Sequence, residues 1–150
     1  MDRGLQGNDK IEEAIRELQE APSDEQLAHT LTLLRRRMRE NGQVVVAVEA
    51  VAKEQNLQLA TVRTEDGRRW FAAFTSFEEE MKGGGAVKST FLADIRQLFE
   101  TTREADVAGV ILNPWNRRLA LDQTLLAVVL GIEIGDRARG LVVVAIALGI

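Results

Sequence analysis

Two apolar stretches with a helix-forming segment between them restrict what this chain can fold into. The first, Arg69–Met81 (RWFAAFTSFEEEM), sets aromatic residues against a Thr-Ser turn and then opens a helix with three glutamates in its first turn. The second, Val107–Leu121 (VAGVILNPWNRRLAL), is an apolar strand that stops at an Asn-Pro-Trp-Asn turn. Two strands of one sheet joined by a helical crossover run parallel, and such crossovers are right-handed. If Trp70–Phe74 and Val107–Leu112 are neighbours, their C-terminal ends lie together, where open α/β sheets bind ligands. The turns after Phe74 and Leu112 are therefore the expected functional edge.

Upstream of these stretches the apolar pattern is helical. Asp9 is placed to cap a first helix and Glu12 to complete the capping box, with Ile11, Ala14, Ile15 and Leu18 as its apolar stripe. Ala21-Pro22 ends it, because proline cannot donate to the preceding turn. Ser23 opens a second helix with Gln26 as its box partner. Leu27, Leu31, Leu34 and Met38 form its stripe, and Asn41-Gly42 stops it. Arg35, Arg36, Arg37 and Arg39 fall in its last turns, where cations complement the helix dipole. The pair should form a hairpin lying on the sheet.

The period then changes. Val44–Val48 is a continuous valine-rich run, as expected of a strand covered on both faces. After a polar turn at Lys53–Asn56, the segment Leu57–Arg63 alternates and pairs through an Asp66-Gly67 hairpin with Trp70–Phe74. Ser76 caps the short helix that follows, with Glu79 at the box position, and Gly83–Gly85 ends it. A longer helix is expected to begin near Ser89, with Phe91, Leu92, Ile95, Leu98 and Phe99 on its core face. Arg117–Leu121 is extended, and Asp122 caps a last helix bearing Leu125, Leu126, Val129 and Leu130. Leu141–Leu148 (LVVVAIAL) is rich in β-branched residues and reads as a docked strand; left free it would be an adhesive edge.

Composition narrows the function classes. A length of 150 residues suits one domain, residues 1–150, with helices in 1–42, a core in 43–131 and a C-terminal segment in 132–150. A net charge of -4 argues against a nucleic-acid partner, since phosphate contacts need a dense basic surface. The absence of cysteine removes disulfides, thiolate catalysis and cysteine-bound metal, and fits a reducing cytoplasm. The apolar end, ten residues from Leu141, falls short of the 20 or so needed to span a membrane, so no membrane partner is expected.

Each chemical motif has a simpler explanation beside it. GGGAVKST (Gly83–Thr90) looks like a phosphate loop, but Val87 and Lys82 occupy the positions where that pattern needs glycine. The lone His29 has Glu25 one helical turn before it, an ordinary surface pair. Glu78, Glu79 and Glu80 follow one another about 100° apart on a helix, so they suit the dipole and do not converge on one ion. Trp115, at a turn tip, is either a binding anchor or an aromatic folded over the core edge. Trp70 reads as core.

The stretches WFAAFTSFEEEM (Trp70–Met81), GVILNPW (Gly109–Trp115) and LALDQTLL (Leu119–Leu126) resemble the SseB N-terminal domain family of bacteria, over roughly Val44–Gly131 and in that family's order. Phe74, Thr75, Ser76, Asn113 and Pro114 are the matching positions. The resemblance implies a small α+β domain with a regulatory or interaction role. The fold class expected is thus α+β: an antiparallel meander plus a parallel crossover strand in one mixed sheet, with flanking helices and an N-terminal helical hairpin. The function expected is a non-enzymatic cytoplasmic module for a protein partner, without cofactor or metal, binding through Phe74, Thr75, Ser76, Asn113, Pro114 and Trp115. Two other readings are a small-ligand or anion-binding enzyme using the loop and helix start at Gly83–Thr90, and a homodimer paired through the Leu141–Leu148 strand.

Overall fold

The valine run is buried on both faces, with Val44, Val45, Val46 and Ala47 each at most 4% exposed, and the sheet extends outward from it. A computed structural model describes residues 3–51, 56–83 and 89–131. Its elements are α1 (Asn8–Glu20), α2 (Asp24–Arg39), β1 (Gln43–Val51), β2 (Asn56–Leu59), β3 (Thr61–Arg63), β4 (Arg69–Phe74), α3 (Phe77–Met81), β5 (Ser89–Asp94), α4 (Ile95–Glu104), β6 (Gly109–Leu112), β7 (Leu119–Asp122) and α5 (Gln123–Leu130). The expected tail strand Leu141–Leu148, with the dimer built on it, lies outside the described residues. So do most of the Lys53–Asn56 turn and most of the Gly83–Thr90 loop.

The mixed sheet has the parallel pair predicted: Trp70 to Ala73 of β4 align with Gly109 to Leu112 of β6. β7 continues antiparallel beside β6, Val110 facing Leu121. The meander is less regular than expected. Val45 and Val46 of β1 pair directly with Phe74 and Ala73 of β4. Farther along the two strands part, and the Asn56–Arg63 segment fills the fork. Its first half, β2, pairs with β1 and its second, β3, with β4. The change of partner falls at Ala60, whose N–H donates to Ala47 O (2.8 Å) while its carbonyl accepts from Ala72 N (3.2 Å).

The helix expected near Ser89 is a correction. Ser89–Asp94 forms β5 and pairs antiparallel along β1 from Gln43 to Val48. A buried strand needs backbone partners on both edges. β4 and β2 serve one edge of β1, and β5 serves the other. Ser-Thr-Phe suits a pleated strand, and Phe91 and Leu92 fit strand or helix spacing equally well over so short a run. α4 starts only at Ile95, where Asp94 accepts from Gln97 N at 3.0 Å as its cap. Phe91 is consequently 49% exposed instead of buried.

α1, α2, α4 and α5 share one core with one face of the sheet. Ile15, Leu34, Phe99 and Leu126 meet Val46, Val110, Leu112 and Leu121 there. Val45, Ala72 and Phe74 cluster on the other face, as do Trp70, Ile111 and Ala120. Strand alternation therefore sends apolar side chains both ways. Ser23, Ser76 and Asp122 cap their helices as read from sequence. Asp9 does not, because α1 begins two residues earlier than such a cap would set it, at Asn8 after Gly7, whose φ is 92°. Arg35 does more than complement its own dipole: its guanidinium donates to Val128 O and Val129 O, two of the last carbonyls of α5.

At the β3–β4 hairpin, the Thr64 hydroxyl and then the Arg68 amide and guanidinium hydrogen-bond the Asp66 carboxylate, holding its pKa at about 2 against an ordinary 3.8. A depressed carboxylate stabilises the fold fully above its unfolded value and ceases to do so as pH falls through the folded one. We expect the Asp66 carboxyl carbon to titrate near pH 2 by NMR, with Asp66→Asn removing this part of the acid-induced loss of stability. Gly109 lies against β7 so closely that a Cβ would come within 2.0 Å of Leu121 O. Gly109→Ala should cost about 3 kcal/mol in urea unfolding by forcing the β6–β7 ladder apart.

Candidate functional site

Thr75 follows β4 and Asn113 follows β6, and the parallel register brings them side by side. Asn113 Oδ1 accepts from Thr75 N at 3.0 Å, and Asn113 Nδ2 donates to Thr75 Oγ1 at 3.1 Å. Asn113 N reaches back to Ala73 O at 2.9 Å, so the turn continues the β4–β6 ladder. The residue takes φ 51°, a left-handed conformation that asparagine tolerates better than other side chains do. Both residues are buried, at 1% and 3% exposure.

Helix α1 closes this junction from above. Asn8 Nδ2 donates to Thr75 O (3.1 Å) and Gln43 O (2.8 Å), while Asn8 Oδ1 accepts from Arg37 Nε at 3.0 Å. Arg37 also donates to Gly4 O at 2.7 Å and pairs with Glu40 at 3.0 Å. The Thr75 hydroxyl donates to the Glu12 carboxylate. Glu12 thus serves the strand end and not a capping box. Arg37, read above as one of four dipole cations, is 8% exposed. Its spacing of three from Leu34 places it at the edge of the apolar stripe, where the tertiary structure buries it.

Around the junction opens a cleft of about 480 Å³ between α1, α3 and the Asn113–Arg117 turn. Asp9, Glu12 and Glu13 line it from α1, Glu78, Glu79 and Lys82 from the α3 segment, and Asn116 and Arg117 from the turn. The three consecutive glutamates diverge as their spacing requires: Glu78 is exposed, Glu79 buried and Glu80 intermediate. Glu79 Oε1 accepts from Asn116 Nδ2 at 3.2 Å. The Lys82 ammonium lies against Oε2 as an ion pair without hydrogen-bond alignment. Arg117 is drawn to Glu20 at 3.2 Å.

Trp115, in the same turn as Asn116 and Arg117, is 47% exposed and does not itself line the cleft. Its ring lies 6.2 Å from that of Phe74 at an interplanar angle of 35°. Its edge fits against Gly83, where a Cβ would come within 2.5 Å of the indole Nε1. The tryptophan packs on the core edge with one side, as the packing reading has it, and faces solvent with the other. Of the expected site residues, Phe74, Thr75, Ser76, Asn113, Pro114 and Trp115 all gather at this one edge, though Phe74, Thr75 and Asn113 are interior. Asn8, Glu12, Glu79 and Asn116 are the members that sequence reading missed.

The other candidates lie elsewhere or lose their basis. His29 is exposed on α2. Among the described residues, no three His, Asp or Glu side chains gather as a metal-binding group. Ser89 starts a strand, so the helix N-terminus required by an anion site at Gly83–Thr90 does not begin there. No described helix is long and apolar enough to cross a membrane.

The SseB protein N-terminal domain model matches residues 11–127, and the chain belongs to that family. The matched region begins in α1, so it takes in the helical hairpin as well as the sheet. No curated protein and no solved structure matches the chain.

Asn113 supports two predictions from one position. Asn113→Ala should destabilise by about 2 kcal/mol, since it strips the buried Thr75 N–H of its acceptor. Asn113→Gly should recover about 1 kcal/mol of that loss, because glycine adopts positive φ without penalty. Equal losses in chemical denaturation would show that the backbone conformation contributes nothing.

Proposed function

We propose that this SseB-family chain is a non-enzymatic regulatory or protein-interaction module that receives a protein partner at the cleft beside Trp115. The observation that carries this reading is where its exposed apolar side chains sit. Among the described residues the large exposed hydrophobics are Phe77, Met81, Phe91 and Trp115. Phe91 is on β5; the other three belong to α3 and to the Asn113–Arg117 turn, the two segments that frame the cleft. Tryptophan, phenylalanine and methionine beside a polar groove match the composition of interface centres, where aromatic anchors supply most of the energy. Trp115 is also held in place by Phe74 and Gly83, so little side-chain freedom is lost when a partner covers it. Phe74, Thr75, Ser76, Asn113 and Pro114 then support the surface, and Trp115 makes contact. The cysteine-free sequence agrees with action in the cytoplasm, and the reading calls for no cofactor.

Affinity capture from a source cell, using the wild type, Trp115→Ala and Phe91→Ser, tests the proposal. The partner should be lost with Trp115→Ala and kept with Phe91→Ser, both variants melting cooperatively. Capture of the same proteins by the wild type and Trp115→Ala would refute it.

A further inference from the structure

At the opposite end of β4 from the cleft, Arg63 of β3 and Arg69 of β4 stand directly across from each other in the antiparallel register. Like charges in such positions repel, so this pair lowers the stability of the hairpin that carries it. Neither guanidinium forms an ion pair among the described residues. Arg63 donates to Gly67 O at 3.4 Å and Arg69 to Asp106 O at 3.3 Å, both neutral carbonyl acceptors. Arg68 adds a third cation, lying 5.0 Å over the Trp70 ring and paired with Asp66 at 2.6 Å. The three arginines and Asp106 line a shallow depression of about 400 Å³.

We propose that this depression is a second docking surface, which takes a carboxylate-rich segment of a protein partner. Guanidinium forks match carboxylates in a bidentate manner, and two forks on neighbouring strands suit adjacent acidic side chains of an extended peptide. An acidic peptide fits better than nucleic acid. Two guanidiniums without an ion pair among the described residues are too few to track a phosphate backbone, but they match two neighbouring carboxylates. The surface is independent of the cleft, because Arg63 and Arg69 share no contact with Thr75, Asn113 or Trp115.

Titrating the full chain with a hexaglutamate peptide while following amide and indole N–H signals tests the assignment. Shifts should concentrate at Arg63–Trp70 and Asp106–Ala108, including the Trp70 indole, and weaken as salt rises. Arg63→Gln with Arg69→Gln should reduce affinity at least about tenfold, as expected for lost charge-assisted hydrogen bonds. Arg36→Gln with Arg39→Gln, which removes two exposed cations from α2, should leave binding unchanged. The Arg63/Arg69 variant should also melt no lower than the wild type. The proposal is overturned by shifts elsewhere, by equal losses in the two double variants, or by a lower melting temperature of the Arg63/Arg69 variant. Tighter binding at the same residues by inorganic phosphate or a short DNA duplex would overturn it in favour of those ligands.

Discussion

The hydrogen bonds that converge on Thr75 hold the domain's layers in one arrangement. Its N–H and hydroxyl meet Asn113 from β6, its carbonyl meets Asn8 from α1, and its hydroxyl donates to Glu12, also from α1. Apolar burial drives the helices onto the sheet but is tolerant of sliding. A buried polar junction is not, because a displaced partner leaves a donor or acceptor without water. Arg37 extends the junction through Asn8 to Gly4 O, so α2 and the N-terminal segment are bound into the same network.

That junction also explains why the sheet's two ends differ. At the C-terminal ends of β4 and β6, Thr75 is hydrogen-bonded to both Asn113 and α1, and the cleft opens beside this junction. Its lining is mostly polar and carries charge of both signs. At the other end of β4 the hairpin is short and exposed, and three arginines collect where none of the described helices contributes a lining residue. One strand thus connects a polar cleft to a basic depression.

Legibility followed the range of the interaction involved. The stripes of α1 and α2, the Ser23, Ser76 and Asp122 caps and the Asp66-Gly67 turn depend on residues within a few positions, and the structure agrees with them. The adjacency of Thr75 and Asn113 was also readable, because a strand–helix–strand pattern makes the two strands parallel. β5 was not. Phe91, Leu92, Ile95, Leu98 and Phe99 satisfy helical spacing, and only the open edge of β1 draws Ser89–Asp94 into the sheet. Likewise Asp9 and Glu12 form a sound capping box in sequence, but Glu12 gains more from the Thr75 hydroxyl than a local cap would offer.

The sequence alone determined the element types near the strong punctuation signals, the parallel pair and the edge at which the family's matching residues meet. Those features rest on periodicity and turn chemistry, which are local. Tertiary structure decided which groups at that edge are interior and which face solvent. It turned Asn113 and Thr75 into a buried hydrogen-bonded pair and left Trp115 half exposed on Phe74 and Gly83. It also placed Arg63 opposite Arg69. Each outcome depends on pairing between segments far apart in the chain, where burial and hydrogen-bond satisfaction outweigh local preference.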